Sequence, residues 1–339
     1  MALPTGYAGV FDPVNVAGVL YSKTDTRTPL FNMLGGFTTA SREFLVSSEY
    51  ELGAASQPAI SETASVTAPT PTFTDREQSK NVTQIFQKSI AVTYRKMSDT
   101  ASLTGLNIEG LENNVPNELA TQIAHRIAEM RNDMEYTILN GAYNLATTAD
   151  EIDKTRGLIA ATDSHEIAAG GDELNPELLI RLAKSLHDNS PFGLQGIVGI
   201  LNSEQMVQLN KIVLAEGQRV SMSEAGSNML RYNTPFGVLN FLEGGHRYMP
   251  NGTALFANLS VCRNAVQPVP GKGFAFYEPL SKTGAAETGQ VYAQWGLDHG
   301  PEWMHAKITG LAETTTATTA PQVFITNSSE APVYTSAVS

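Results

Sequence analysis

One amphipathic segment, residues 117–141, constrains the fold more than any other part of this 339-residue chain. Its apolar side chains recur at steps of four, four, three, four and four residues, which places them along one stripe of an α-helix. Pro116 suits the first turn, an Arg131–Glu135 pair at i,i+4 would stabilise the helix surface, and Asn140-Gly141 would stop the helix. About 24 helical residues form a rod of roughly 36 Å, which must pack against a second layer. The stripe consists of Leu119, Ile123, Ile127, Met130, Met134 and Ile138.

The charge balance argues against a nucleic-acid-binding protein. Acidic residues number 34 against 22 basic residues, for a formal net charge of -12, and no window carries the clustered Lys and Arg that neutralise phosphates. An acidic wall could still enclose DNA without sequence-specific binding, because DNA would not adhere to it. Charged residues make up only 17% of the chain, which favours a surface used for contacts with other chains.

The single cysteine, Cys262, excludes disulfides within the chain and cysteine-based metal sites. It predicts a chain made in a reducing cytoplasm, where we expect this residue to be a small buried hydrophobe. The first ten residues do not have the pattern of a signal peptide, and no stretch approaches the roughly 18 to 20 apolar residues of a membrane span. We therefore expect no membrane association.

Two alternating segments, residues 42–52 and 82–94, predict the strands of a long β-hairpin. Their connection, residues 53–75, is rich in Ala, Ser, Thr and Pro and has little that could fill a core. We expect it to project from the body of the protein. Because an isolated two-stranded ribbon is marginally stable in water, such a projection normally lies on another surface.

Upstream of this hairpin, Asp12-Pro13 and Thr28-Pro29 each predict the start of a short helix, with a capping residue before a first-turn proline. Both helices are too short to be stable alone. Apolar side chains such as Leu30 and Phe31 must therefore be covered by the body of the protein or by another subunit. The segment has the character of an arm.

Downstream of the long helix the pattern is mixed α/β. Helices are predicted from Asn175-Pro176 to His187 and from Ser203 onwards, on either side of a buried strand at 197–201. Residues 312–339 are dominated by Thr, Ala and Ser, a composition typical of disorder. Further strands are predicted at 236–242, 254–261, 274–277, 290–296 and 304–311.

No constellation of side chains predicts catalysis, a cofactor or a metal. His299, Glu302 and His305 are the best metal-like trio, but in a strand Glu302 would face away from both histidines, so we interpret them as surface or interface residues. The acidic cluster at 150–153 lacks the glycine and terminal glutamate of a calcium loop, and residues 271–273 lack the spacing of a phosphate loop. We predict that the protein is not an enzyme.

Taken in order, the arm, the hairpin, the long helix, the α/β region and the later strands resemble the major capsid protein of tailed phages, which has the Hong-Kong-97-type fold. Several local sequence segments are similar to those of a branch of that family whose capsid proteins carry no cleaved propeptide. These segments are Arg27-Thr28-Pro29-Leu30-Phe31-Asn32, the helical run from His125 to Tyr136, Asn140-Gly141, and Thr155-Arg156-Gly157-Leu158.

The resemblance implies an α+β fold in which an extended loop lies across the adjacent subunit and axial domains meet around five-fold and six-fold positions. Its implied parts are an N-terminal arm (1–39), an extended β-hairpin loop (40–94), a peripheral domain (95–156) with spine helix 117–141, an axial domain (157–245), strands that return to the axial and peripheral domains (246–311), and a C-terminal extension (312–339).

The resemblance also implies a function. Pentamers and hexamers of the chain would form the icosahedral head that encloses the double-stranded DNA of a tailed bacteriophage, assembled in the bacterial cytoplasm. Portal, scaffold and possibly decoration proteins would be partners. The implied subunit-interface candidates are Arg27, Pro29, Phe31, Tyr50, Pro58, Ile60, Phe73 and Phe86.

Three points stay open at this stage. Some family members cross-link a loop lysine to an asparagine of a neighbour, but no spacing singles out Lys80, Lys88, Asn233 or Asn240 for that bond. An encapsulin-like nanocompartment shell, which encloses protein cargo, has the same order of elements. A soluble α/β hydrolase or binding protein, with a polar pocket and a small oligomeric state, is the alternative from another class.

Overall fold

The computed structural model describes residues 25–98, 118–215, 220–224, 227–242, 244–282 and 284–312. The helix predicted at Asp12-Pro13 and almost all of the predicted C-terminal extension lie outside these ranges. The helices are α1 (Pro29–Met33), α2 (Tyr94–Ser98), α3 (Glu118–Asn140), α4 (Leu158–Ala161), α5 (Pro176–Asn189) and α6 (Ser203–Ala215). The strands are β1 (Gly35–Thr38), β2 (Glu43–Glu49), β3 (Glu77–Val82), β4 (Gln84–Thr93), β5 (Glu166–Ala168), β6 (Ile197–Ile200), β7 (Val220–Glu224), β8 (Ser227–Thr234), β9 (Gly237–Leu242), β10 (Ala254–Asn258), β11 (Arg263–Val266), β12 (Ala275–Pro279), β13 (Ala286–Asp298) and β14 (Ala306–Thr309).

The long helix α3 confirms the strongest prediction from the sequence. Met130, Met134 and Ile138 of its stripe are buried, whereas Ile127 is 40% exposed. The buried part packs against a five-stranded sheet in the order β1-β11-β13-β12, with β4 also paired to β13. Trp295 of β13 lies fully buried in this core.

A seven-stranded sheet, in the order β5-β14-β10-β6-β9-β8-β7, forms the other half of the described fold. Strand β10, next to the central strand β6, is buried along its whole length. Ala254 and Phe256 face a core shared with α5 and α6, while Leu255 and Ala257 face the core shared with α3. A strand covered on both faces reads as a continuous apolar run, and the sequence predicted a strand at 254–261 without indicating its burial.

The predicted hairpin exists, but its second strand was assigned wrongly. Strand β2 pairs antiparallel with β3, residues 77–82, and most of the predicted partner, residues 82–94, forms β4 (84–93) of the five-stranded sheet. Phe86, Ile90 and Val92 of β4 are buried in the core with α3. Because those apolar side chains are needed there, the ribbon that leaves the body is shorter than the alternating pattern predicted.

One predicted detail of α3 is wrong, whereas the predicted stop at Asn140-Gly141 is confirmed. Arg131 does not pair with Glu135; its Nη2 donates to Asn32 Oδ1 at 2.8 Å. Gly141 ends the helix, but not through a left-handed conformation, since it is not among the glycines with positive φ. Its backbone instead closely approaches residues 155–157. None of the described helices is both long and apolar enough to cross a membrane.

Candidate assembly surfaces

The connection between β2 and β3 is exposed throughout, since every residue from 50 to 78 is accessible to solvent. We call residues 50–76 the projecting loop. Its larger apolar side chains are between 65% and 89% exposed. Covering one such side chain contributes roughly 1.5–3 kcal/mol, so burial of these side chains against another surface would be favourable. These side chains are Tyr50, Leu52, Ile60, Val66 and Phe73.

The base of the projecting loop is fixed to the body by polar contacts. Asn81 of β3 is fully buried; its Nδ2 donates to the carbonyls of Leu297 and Arg156, and its Oδ1 accepts from the Arg156 N–H. Trp303 Nε1 donates to Glu49 Oε2 at 2.8 Å. The loop is therefore carried on a fixed base, and its direction is set by the subunit core.

A buried carboxylate, Glu135, holds the predicted arm onto α3. Its two oxygens accept the backbone N–H groups of Leu30 and Phe31 at 2.9 and 2.8 Å, which are first-turn donors of α1. His246 Nε2 donates to the same carboxylate at 2.9 Å. The sequence suggested Thr28 as the capping residue, but its side chain makes no cap bond. A side chain more than 100 positions away in the sequence supplies the cap instead.

The residues just before α1 are held from the same side. Arg247 donates to the carbonyls of Asp25 and Arg27 and to Asn132 Oδ1, and its guanidinium lies 4.5 Å from the ring centre of Tyr248. The Arg27 guanidinium, by hydrogen bonding, lowers the pKa of Asp25 to about 2. The described end of the arm is thus attached to its own subunit.

The predicted interface residues fall into two groups. Tyr50, Pro58, Ile60 and Phe73 are exposed in the projecting loop, and Arg27 is exposed beside the arm. Pro29 is half-buried at the start of α1.

Phe86 was misassigned as an interface candidate, because it is 7% exposed and packs edge-on against Trp295 at 5.9 Å in its own subunit. Phe31 is half-buried between Trp295 and Arg131, so it too belongs mainly to the core. Sequence patterns did not predict the structural roles of Glu135, Asn81 and His246, because the hydrogen-bond partners of each residue lie far away in the sequence.

The lysines considered for a cross-link lie in different settings. Lys80 on β3 forms an ion pair with Glu43 of β2 at 2.9 Å. Lys88 lies on β4 and pairs with Asp133 of α3 at 2.7 Å, so it belongs to the body and not to the projecting loop. Asn240 lies on β9 and Asn233 on β8, in the seven-stranded sheet.

The sequence predicted surface or interface positions for the trio at 299–305, but its two histidines are buried within the subunit. His299 is 2% exposed and His305 is fully buried, while Glu302 accepts from the N–H groups of Asp163 and Ser164. His305 Nδ1 accepts the N–H of Asn258, and its Nε2 donates to the carbonyl of His299. Cys262 is buried as expected, and burial raises the pKa of its thiol. Within the described ranges no group of three or more His, Cys, Asp or Glu side chains could hold a metal ion.

These histidines predict an acid-sensitive subunit. Desolvation lowers the pKa of both His299 and His305 to about 4, against about 6.5 in an unfolded chain. Below pH 6.5 the unfolded state therefore binds more protons, so stability should fall as the pH drops from 6.5 towards 4, by roughly 3 kcal/mol for each histidine. Urea unfolding of the unassembled subunit at pH 7 and pH 5 measures this slope. Equal stability at both values would contradict the assignment.

The fold and the exposed loop define a shell-forming structural protein, and comparisons with known proteins agree. The model of the SU10 major capsid protein family matches residues 3–312. The chain belongs to the SU10 major capsid protein family. It is a structural protein of the virion, whose copies assemble into an oligomeric shell, and not an enzyme.

Solved structures show the same Hong-Kong-97-type fold. The capsid of cyanophage A-1(L) matches with a TM-score of 0.60 at 11% identity, covering 89% of this chain and 99% of that chain. The capsid of a native GTA particle matches with a TM-score of 0.57 at 13% identity, covering 92% and 99%. The holo-SrpI encapsulin of Synechococcus elongatus PCC 7942 matches with a TM-score of 0.59 at 13% identity, covering 87% and 91%. A comparison with curated protein sequences gives no significant match.

Proposed function

We propose that copies of this chain form pentamers and hexamers that close into the icosahedral head of a tailed bacteriophage around its double-stranded DNA. The observation that carries this proposal is the projecting loop, whose apolar side chains are exposed in the single subunit. A neighbouring copy is the simplest surface to cover them. The net charge of -12 suits a wall that encloses DNA without binding it.

In this proposal the parts of the chain take distinct roles. Residues 1–39 act as the arm and 40–94 as the extended loop region, of which 84–93 is a body strand. Residues 95–156 form a peripheral domain with α3 as its spine, and 157–245 an axial domain around the shell's symmetry axes. Strands between 246 and 311 complete both, and 312–339 form an extension. The proposed interface residues are Arg27, Pro29, Tyr50, Pro58, Ile60 and Phe73.

We further propose that assembly takes place in the bacterial cytoplasm with portal and scaffold proteins, and that decoration proteins can bind the finished shell. The lone buried cysteine is compatible with a reducing compartment. An encapsulin-like shell is the alternative that the similarity to the SrpI encapsulin favours. Double-stranded DNA inside particles from phage-producing cells supports the proposal, and a shell holding protein cargo without DNA would overturn it.

Shortening the projecting loop tests its role. We expect replacement of residues 53–75 by a short Gly-Ser linker to abolish particles in electron micrographs, because the surface that a neighbour covers is removed. The unfolding free energy of the unassembled subunit should stay within about 1 kcal/mol, since surface positions contribute little to stability. Normal particles from the shortened chain would contradict the role.

A further inference from the structure

A polar groove of about 940 Å³ lies between the described end of the arm, α3 and the turn that precedes β10. Its charged walls are three arginines, Arg27, Arg131 and Arg247, and one carboxylate, Asp25. This excess of positive charge stands out in a chain with a formal net charge of -12. Basic groups gathered in a cleft attract a carboxylate or a phosphate.

Arg131 is the arginine in this groove without an acidic partner among the described residues. Arg27 and Arg247 both contact Asp25. Among the residues that the structure describes, Arg131 donates to the amide oxygen of Asn32 alone, and its guanidinium lies 5.6 Å from the ring centre of Phe31. Its helical neighbour Glu135 is turned inward to cap α1, so it cannot neutralise Arg131.

The projecting loop carries the complementary charge. Between residues 53 and 74 the sequence holds one charged residue, Glu62. In the described structure its carboxylate has no ion-pair partner, and the backbone around it is shaped into a turn by Ser61 and Ser65. Exposed Ile60 precedes it and exposed Val66 follows it. The tip therefore presents one carboxylate between apolar side chains.

We propose that this groove receives the projecting loop of a second copy of the chain, with Glu62 of one copy paired with Arg131 of the other. The inference deepens the proposed function and rests on it. Each half of the projecting loop reaches on the order of 40 Å when extended, far enough to leave its own subunit. At about 940 Å³ the groove has room for a peptide turn together with its carboxylate, which favours a peptide over a single phosphate.

Charge reversal tests the pairing. We expect Glu62→Arg and Arg131→Glu each to lower the assembled fraction, measured by sedimentation, by about tenfold, because like charges then meet at every copy of the contact. The double variant should regain assembly. An equimolar mixture of the two single variants should regain it as well, because each loop then finds a complementary groove on the other chain. A contact within one subunit would not be restored by mixing.

The controls separate this inference from the function on which it rests. Glu62→Arg combined with Arg126→Glu, on the same helix but paired with Glu129, should not rescue assembly. If Arg131→Glu lowers the unfolding temperature, the neutral variants Glu62→Gln and Arg131→Gln are used in place of the charge reversals. The assembled fraction of the Glu62→Gln, Arg131→Gln double variant should then be no lower than that of either single variant. If the wild-type chain forms particles but neither the double variant nor the mixture regains assembly, the pairing is wrong while the proposed function stands. Normal assembly of both single variants would have the same meaning. A wild-type chain that forms no particle overturns the proposed function.

Discussion

Replacing Glu135 by alanine is expected to destabilise the unassembled subunit by on the order of 4 kcal/mol. The side chain is fully buried, and its two oxygens serve the N–H groups of Leu30 and Phe31 and the imidazole of His246. Removing it strands three donors away from water. Urea unfolding at neutral pH measures the loss, and proteolysis near residue 30 should become faster because α1 loses its cap.

The size of that effect comes from burial, not from charge alone. Glu129→Ala is the matched control on the same helix: this carboxylate is 45% exposed and pairs with Arg126, so its loss should change stability by less than about 1 kcal/mol. The loss of stability for Glu135→Gln should lie between those for Glu135→Ala and Glu129→Ala. The amide oxygen of the glutamine still accepts a hydrogen bond, whereas its NH₂ group faces a backbone donor. If Glu135→Ala proved as mild as Glu129→Ala, the capping role would be wrong.

Replacing Gly157 by alanine is expected to cost more than about 3 kcal/mol, because a Cβ at this position has no room. It would lie 2.5 Å from the backbone nitrogen of Gly141 and 2.7 Å from the carbonyl oxygen of Thr137. These are backbone atoms at the end of α3, and they cannot rotate aside. The Gly157 N–H also donates to the Gly141 carbonyl at 2.9 Å, so the two glycines are in direct contact.

Gly53→Ala is the control, since no atom lies within 4 Å of a Cβ built at Gly53. We expect it to leave the unfolding midpoint almost unchanged. Gly141→Ala should be as damaging as Gly157→Ala, because its Cβ would lie 2.6 Å from the Thr155 carbonyl oxygen. An alanine tolerated at 157 with native stability would show that α3 can move away from the 155–158 turn.

This contact joins two of the segments that carried the resemblance in the sequence, Asn140-Gly141 and Thr155-Arg156-Gly157-Leu158. The end of α3 and the segment 155–157 touch backbone to backbone. The same turn binds the base of the projecting loop, because the Arg156 backbone bonds to Asn81 and Thr155 Oγ1 accepts the Leu297 N–H. Three regions distant in sequence thus meet at one point.

Local pattern alone was sufficient for α3, α5 and the buried strands β6 and β10, because helical and strand periodicities are set by neighbouring residues. The order of elements was also enough to indicate a capsid protein of this fold. Strands such as β1 and β11 escaped prediction because their sequences, Gly-Gly-Phe-Thr and Arg-Asn-Ala-Val, contain neither an apolar run like that of β6 nor a clear alternation.

Only the tertiary structure decided which alternating segment leaves the body as a ribbon and which joins the core. Residues 77–82 and 84–93 both form strands, and the choice depends on where Phe86, Ile90 and Val92 find α3 to cover them. The cap that Glu135 provides for α1 and the contact of Gly141 with Gly157 were likewise decided by the tertiary structure. A sequence sets local conformation through adjacent side chains. The energetic effect of a buried charge or of a missing Cβ depends instead on atoms that only folding brings close.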